Sequence, residues 1–155
     1  MFLKMKRRVN QYKMASSKRI LTDLVLCESE LPQHKIKIAS RESNIHEILF
    51  LLFIEDTGFE YLGKLILPQN FPFSAPKIRF ITPTGFFRSD EDVCLTLVSH
   101  IHNDEWTPIW RIHTILIAIK SFIYEKIQTQ TPQQKKLAEE SSTFNKTRDE
   151  IKMFS

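Results

Sequence analysis

The chain has few cysteines, few glycines and no long apolar run. Its 155 residues include two cysteines and three glycines, so a disulfide framework and a loop-dominated chain are both excluded. No secretory segment is recognisable, which indicates a reducing compartment, the cytoplasm. The longest apolar stretches, 48–54 and 112–123, are too short or too interrupted to span a bilayer. We therefore expect a cytoplasmic chain with no membrane span.

Charge is modest overall and concentrated at the start of the chain. The formal net charge is +4, and seven of the 22 basic residues precede residue 20. No aromatic ladder accompanies them, so we predict no nucleic-acid partner. Residues 1–15 are predicted to be a poorly ordered basic arm, with a docking surface for an acidic partner as the open alternative. Residues 16–155 fit a single domain.

The pattern of apolar residues predicts an α+β fold. A first amphipathic helix covers 16–27, with Lys18, Arg19 and Asp23 on its polar face. Short runs predict four strands in an antiparallel meander at 34–39, 47–54, 61–67 and 77–81, with a tight turn at 55–58 and a proline-framed loop at 68–76. A buried central helix follows at 108–124. The last predicted helix starts near 132 and carries Leu137, Phe144 and Ile151 on one face.

The setting of Cys94 indicates a working thiol. It lies in Val-Cys-Leu-Thr-Leu at 93–97, between a proline-rich approach and a Trp-Thr-Pro-Ile-Trp exit. The competing interpretation is a buried cysteine that acts as a small hydrophobe, which is common. We assign that structural role to Cys27, which lies on the apolar side of the first helix.

Several spaced motifs resemble the ubiquitin-conjugating enzymes. They are Phe-Pro-Phe-Ser-Ala-Pro-Lys-Ile at 71–78, Cys94-Leu95 and Trp-Thr-Pro at 106–108, and the resemblance covers about 16–145. Within that family the chain is closest to the J-type subfamily, usually tethered to the endoplasmic reticulum, by Ile-Thr-Pro-Thr-Gly at 81–85 and His-Asn-Asp-Glu-Trp-Thr-Pro-Ile-Trp at 102–110. The resemblance implies the conjugating-enzyme (UBC) fold.

The resemblance also implies a reaction. Cys94 would accept activated ubiquitin as a thioester and pass it to a lysine or hydroxyl acceptor with a ligase, the RING type being expected. An ordinary thiol has a pKa near ~8.5, so partial deprotonation suffices and no Cys–His dyad is required. The separate activating enzyme uses the ATP, and no bound cofactor is expected. J-type kinship suggests protein degradation at the endoplasmic reticulum, on its cytosolic face if a C-terminal anchor was removed.

The resemblance leaves the residues that support Cys94 open. Thr84 stands where most of the family has asparagine, and a hydroxyl lacks the two-ended reach of an amide. Backbone N–H groups near Gly85, or the side chains of His100 and His102, are the other candidates for stabilising the oxyanion. Cys94, His100, His102 and Asp104 lack the paired spacing of structural zinc ligands, so no metal is predicted.

By resemblance, ligases and the activating enzyme dock on the first helix and two loops. The implied contact residues are Lys18, Arg19, Phe73, Thr107, Pro108 and Ile109. A proline-framed loop would present Phe73 as an anchor at little entropic cost, although core packing of Phe73 is the alternative. Trp106 and Trp110 are assigned to the core.

Two alternatives to ubiquitin conjugation stay open. The chain could conjugate another ubiquitin-like modifier, because no residue identifies the C-terminal tail that fits beside Cys94. It could also be a non-catalytic binding module on the same fold, but such modules have lost the cysteine. The segment 54–63 is shorter than the family's usual turn, and no acidic residue occurs at 128–131 near the acceptor path.

Overall fold

The computed structural model describes residues 2–88, 90–95, 105–129, 131–133, 136, 140 and 149–154. The fully described elements are two longer helices, five strands and the short 3-10 segments Pro32–His34 and Asp149–Phe154. The longer elements are α1 (Phe2–Glu30), β1 (Ile36–Arg41), β2 (Asn44–Ile54), β3 (Phe59–Ile66), β4 (Lys77–Phe80), β5 (Asp92–Val93) and α2 (Ile112–Gln128).

The strands form one antiparallel sheet in the order β1-β2-β3-β4-β5. The predicted α+β class and meander are therefore confirmed, with five strands in place of four. The additional strand has two residues, too few for an alternating pattern to reveal it. The turn at 55–58 joins β2 to β3 as predicted, with Gly58 at φ 71°, a left-handed conformation that glycine adopts without strain.

Both helices differ from their predicted bounds. The backbone of α1 extends from Phe2 to Glu30, beyond the predicted 16–27, because neither proline nor glycine interrupts the chain before Pro32. Helix α2 starts at Ile112 instead of Pro108, since Arg111 is extended at φ −96° and ψ 153°. Of the predicted last helix, residues 132, 133, 136 and 140 are helical, Leu137 and Phe144 lie outside the described residues, and 149–154 is a 3-10 segment. Within the described residues, no helix is long and apolar enough to cross a membrane.

The main core lies between the inner face of the sheet and the two helices. Ile20 and Cys27 of α1 pack there with Phe50 and Leu52 of β2 and with the buried face of α2, which consists of Ile112, Ile115, Leu116, Ile119, Phe122, Ile123 and Ile127. Phe50 lies directly over Gly63, where an added Cβ would be 2.4 Å from the ring. Tight packing at this point requires glycine.

Helix α2 is also fastened to the β2–β3 turn by polar contacts. The Lys120 ammonium donates to the His34 carbonyl and to Glu55 Oε1, the second at 3.2 Å. The Tyr124 hydroxyl donates to Asp56 Oδ2 at 2.7 Å, and this contact raises the pKa of Tyr124. These bonds fix the far end of α2 relative to the sheet.

A second apolar cluster lies on the opposite, or back, face of the sheet. Its buried members are Leu49, Leu51, Leu62 and Ile81. Ala39, Met153 and Phe154 pack against it. The 3-10 segment Asp149–Phe154 therefore covers part of a sheet face that would otherwise expose leucine side chains to water.

Candidate functional site

Cys94 is exposed at the end of β5, between two buried neighbours. Val93 is 7% exposed and Leu95 is 2% exposed, whereas Cys94 is exposed to solvent. Pairing of Ile78 with Val93 anchors β5 to β4. The apolar neighbours enter the core and the thiol side chain between them is presented to solvent, which is the arrangement a nucleophile requires.

An ion pair strengthens the attachment of β5. Arg79 Nε and Nη2 donate to Asp92 Oδ1 at 2.9 and 2.6 Å, and Lys77 Nζ lies 3.7 Å from Asp92 Oδ2. The hydrogen bond from Arg79, with the nearby positive charges, lowers the pKa of Asp92. Asp92 is two residues before Cys94, so the same contact fixes the start of the segment that carries the thiol.

Thr84 organises its own loop. Its side chain is fully buried, and its Oγ1 accepts hydrogen bonds from the backbone N–H groups of Phe86 and Phe87, both at 3.1 Å. Gly85 follows at φ 77°, in the left-handed region. A buried hydroxyl that caps a turn is placed to shape the loop, and its predicted supporting role towards Cys94 stays a prediction, as does that of Gly85.

Aromatic stacking holds this loop to the core. The Phe87 ring lies 5.6 Å from the Phe80 ring of β4 and 5.9 Å from the Phe122 ring of α2, measured between centroids. Such pairs stabilise by roughly 0.5–1.5 kcal/mol beyond the burial of their surface. The loop before Cys94 is therefore attached to both the sheet and the helix.

Cys27 has the structural role predicted for it. It is 1% exposed and belongs to the main core. Burial, with a smaller contribution from the negative charge of Asp23, raises the pKa of the Cys27 thiol to about 12. A thiol in this state is a poor nucleophile at neutral pH.

Five of the predicted docking side chains are exposed, and the sixth, that of Arg19, turns inward. Phe73 is 62% exposed and Ile109 is 80% exposed, so Phe73 does not pack beneath its loop. Lys18, Thr107 and Pro108 are also exposed. Trp106 and Trp110 are half-buried and pack against the core. The Trp106 indole N–H donates to the Pro72 carbonyl at 2.9 Å, which ties the two loops together.

Arg19 is engaged inside the chain. Its Nη2 donates to the carbonyls of Pro108 and Trp110 at 2.7 and 3.0 Å, and its Nε donates to Asp23 Oδ1 at 3.1 Å. The side chain retains 19% exposure. Arg19 therefore holds the loop that presents Pro108 and Ile109, and its predicted contact with partners stays a prediction.

Asp23 is the residue that the sequence placed wrongly. The amphipathic pattern assigned it to the polar face of the first helix, but it is fully buried. Its Oδ1 also accepts from Arg111 Nη1 at 2.7 Å, and its Oδ2 accepts from the backbone N–H of Ile112 at 3.2 Å. Because Ile112 begins α2, Asp23 of α1 caps that helix from outside. The sequence signal for the Arg19–Asp23 contact was their four-residue spacing, at which opposite charges pair on a helix.

The remaining predicted residues, His100 and His102, lie outside the described residues. Among the residues that the structure describes, no group of three histidine, cysteine or acidic side chains could hold a metal ion. The described part of the site is thus an exposed thiol that follows an anchored loop. A separate apolar ledge, made by Phe73, Pro108 and Ile109, is held to α1 by the Arg19 bond to Pro108.

The described residues thus combine an antiparallel meander, flanking helices and an exposed cysteine directly after β5. A family model described as "Ubiquitin-conjugating enzyme" matches residues 19–152. The chain belongs to the ubiquitin-conjugating enzyme family, as the sequence predicted. Members of this family are transferases that form a thioester intermediate.

Relatives and structures agree with that assignment. Mouse "Ubiquitin-conjugating enzyme E2 J2" is 42% identical over 94 residues, which cover 57% of this chain and 36% of that protein. The Dictyostelium discoideum "Ubiquitin-conjugating enzyme E2 J2-like" protein is 32% identical over 128 residues, which cover 76% of this chain and 75% of that protein. The chain spans about a third of the length of the mouse relative.

A solved structure supports the fold alone. The Plasmodium falciparum ubiquitin-conjugating enzyme has a TM-score of 0.58 at 23% identity, and the match covers 70% of this chain and 83% of that one.

Proposed function

We propose that the chain is a ubiquitin-conjugating enzyme in which Cys94 carries the activated modifier. The observation that carries the proposal is the contrast between the exposed Cys94 and its buried neighbours Val93 and Leu95. The Cys94 thiolate attacks the thioester on the activating enzyme, the new thioester forms on Cys94, and the thiol of the activating enzyme leaves. An acceptor amine then attacks, Cys94 leaves as thiolate, and the amine loses its proton.

Charging with ubiquitin tests this proposal directly. The protein is incubated with activating enzyme, ubiquitin and ATP, and the products are compared on reducing and non-reducing gels. We expect a reductant-sensitive adduct that is lost in Cys94→Ala and kept in Cys27→Ala, the matched control for removal of a thiol. Absence of the adduct, with an activating enzyme that charges another conjugating enzyme, would contradict the proposal. A parallel panel of ubiquitin-like modifiers identifies the modifier.

The apolar ledge supports docking of a ligase. Phe73 and Ile109 are large apolar side chains that remain mostly exposed, and hot spots of interfaces commonly consist of such anchors. The Trp106 bond to Pro72 and the Arg19 bond to Pro108 hold the two loops in one arrangement. A preorganised ledge loses little entropy when a partner binds.

A single-residue change tests the ledge. Ile109→Asp places a charge at the centre of the proposed contact and should reduce ligase-stimulated discharge of the thioester by about tenfold or more. Val25→Ser is the matched control, because Val25 is 66% exposed and lies on the outer face of α1. Equal stimulation of the Ile109 variant and the unmodified protein would exclude this ledge.

The acceptor and the cellular role form the finer part of the proposal. Kinship with the E2 J2 relatives supports a function in degradation at the cytosolic face of the endoplasmic reticulum, with lysine or hydroxyl acceptors. Discharge by free lysine and by free serine separates the acceptors. If lysine alone accelerates loss of the thioester, the hydroxyl part of the proposal fails.

A further inference from the structure

The outer side of α1 carries an exposed apolar stripe. Met14, Leu21 and Val25 are 75%, 53% and 66% exposed, and they recur at intervals of seven and four residues. At this spacing the side chains fall on one side of a helix. That side lies opposite the buried face of α1, whose members are Ser16, Ile20, Asp23 and Cys27. The stripe therefore remains open to solvent on the described fold, and contiguous exposed apolar surface marks a contact site.

The stripe has the spacing of a short coiled-coil seam. Steps of four and three residues, which bring successive side chains to the two positions, a and d, that face a partner helix, connect Met14, Lys18, Leu21, Val25 and Glu28. Lys18 and Glu28 are exposed as well. A shallow groove of about 600 Å³ runs along the stripe and is lined by Met14, Ser17, Lys18, Leu21, Thr22 and Val25. Its spacing and shape therefore suit another helix.

The two charged residues of the stripe favour a second copy of α1 as that helix. When two copies pair antiparallel about a two-fold axis at the level of Asp23, Val25 faces the partner's Leu21. In the same register Lys18 faces the partner's Glu28, because both pairs are centred on Asp23 along the helix. Two-fold symmetry makes each contact twice. A parallel pair would instead place Lys18 against Lys18 and Glu28 against Glu28, which is repulsive. The stripe is therefore complementary to itself in the antiparallel direction.

We propose that two copies of the chain associate through an antiparallel pair of α1 helices. The centre of the contact consists of Leu21 and Val25 from both copies, and a Lys18–Glu28 ion pair flanks it at each end. The apolar side chains supply the affinity, and the exposed ion pairs fix direction and register. The contact spans about three turns of each helix, so it belongs to the small, transient interfaces and forms at high protein concentration. A discharge assay runs far below that concentration, so Val25→Ser remains a valid control there.

Charge reversal in the full chain tests the register. Sedimentation velocity should show reversible dimerisation of the unmodified chain as its concentration rises from about 10 to about 500 µM. Lys18→Glu and Glu28→Lys should each weaken the dimer about tenfold or more, because either change sets like charges against each other at both ends. The double variant Lys18→Glu/Glu28→Lys restores both pairs and should dimerise as the unmodified chain does. Glu42→Lys makes the same charge change at an exposed residue of the β1–β2 turn, and this matched control should leave the dimer unchanged.

Mixing the two single variants separates the antiparallel register from any other use of the stripe. The Lys18→Glu variant presents two acidic side chains and the Glu28→Lys variant two basic ones, so an equimolar mixture should form a heterodimer more readily than either variant dimerises alone. Circular dichroism checks that all variants are folded, which is expected because the changed residues are exposed. A monomer throughout the concentration range would overturn the proposal. A dimer that no charge variant weakens, or a mixture that gains no dimer, would overturn it as well.

Discussion

The two cysteines of this chain have the same side chain and opposite settings. Cys27 lies on the inner face of α1, in contact with the main core and near the negative charge of Asp23. Cys94 directly follows the two-residue strand β5. Its neighbours Val93 and Leu95 are buried, whereas its own side chain is exposed. Reactivity in this fold is therefore set by where the chain presents the thiol, because a helix face buries one cysteine and the position directly after β5 exposes the other.

The largest expected effect is the difference in alkylation. Raising the pKa of Cys27 from 9.0 to about 12 reduces its thiolate, at pH 8, by roughly 10³-fold relative to a small-molecule thiol. Burial slows the reaction further. Mass spectrometry after brief treatment with iodoacetamide should therefore find Cys94 modified and Cys27 unmodified. Modification of both at similar rates in the folded protein would remove the basis of the comparison.

Removing Asp23 should break the protection of Cys27. Asp23→Ala leaves Arg19 and Arg111 without their buried partner and the Ile112 N–H without its cap, and loss of one member of a buried pair costs about 3–5 kcal/mol. Both arginines keep some exposure, so we expect the lower end of that range. Urea unfolding measures the loss, and alkylation of Cys27 should become faster. Asp23→Asn, which keeps an acceptor for Ile112, is the control and should lose less.

An overpacking substitution in the sheet should destabilise the fold without changing the relative reactivity of the two cysteines. The Cβ of Gly63→Ala would lie 2.4 Å from the Phe50 ring and 2.9 Å from the Arg79 carbonyl. Overpacking of this kind costs about 1–3 kcal/mol. The urea midpoint should fall, while the order of alkylation, Cys94 before Cys27, is retained under native conditions. Reversal of that order would show that general stability, and not local setting, governs the difference.

The smallest expected effect concerns the ion pair before Cys94. Arg79 lowers the pKa of Asp92 from its ordinary 3.8, so this carboxylate stabilises the folded state above about pH 4 and the contribution disappears as the pH falls through the lowered value. The pair is partly exposed, and its removal in Asp92→Asn should cost at most about 1 kcal/mol. Stability curves between pH 2 and 6 should be flatter for this variant than for the unmodified protein. Identical curves would contradict a role for Asp92.

Most of the fold could be predicted from local patterns. The first four strands alternate over enough residues to be recognised, and prolines and turn residues separate them. Strand β5 could not be predicted, because two residues carry no period and its pairing with β4 is a tertiary contact. Cys94 was recognised through its neighbouring motifs. Its exposure could not be predicted, because it depends on the burial of the side chains on either side.

The contacts of the site that the sequence missed share one physical cause. Asp23 was assigned to solvent because helical periodicity describes one helix at a time, whereas its partner Arg111 is 88 residues away along the chain. The bonds of Arg19 to the carbonyls of Pro108 and Trp110 were missed because these partners are equally remote along the chain. Met153 and Phe154 showed no pattern at the end of the chain, and their contact with the sheet depends on folding that brings distant segments together.

The two edges of the sheet are poorly suited to pair with a strand of another chain. The edge formed by β5 is two residues long, too short to add a strand. The other edge, β1, has exposed Lys37 and Arg41 and a register shift between Ser40 and Arg41, so it is charged and irregular. Short, charged or bulged edges discourage strand pairing between molecules. At high concentration, the protein should resist assembly into intermolecular β-sheet even though its sheet is not closed.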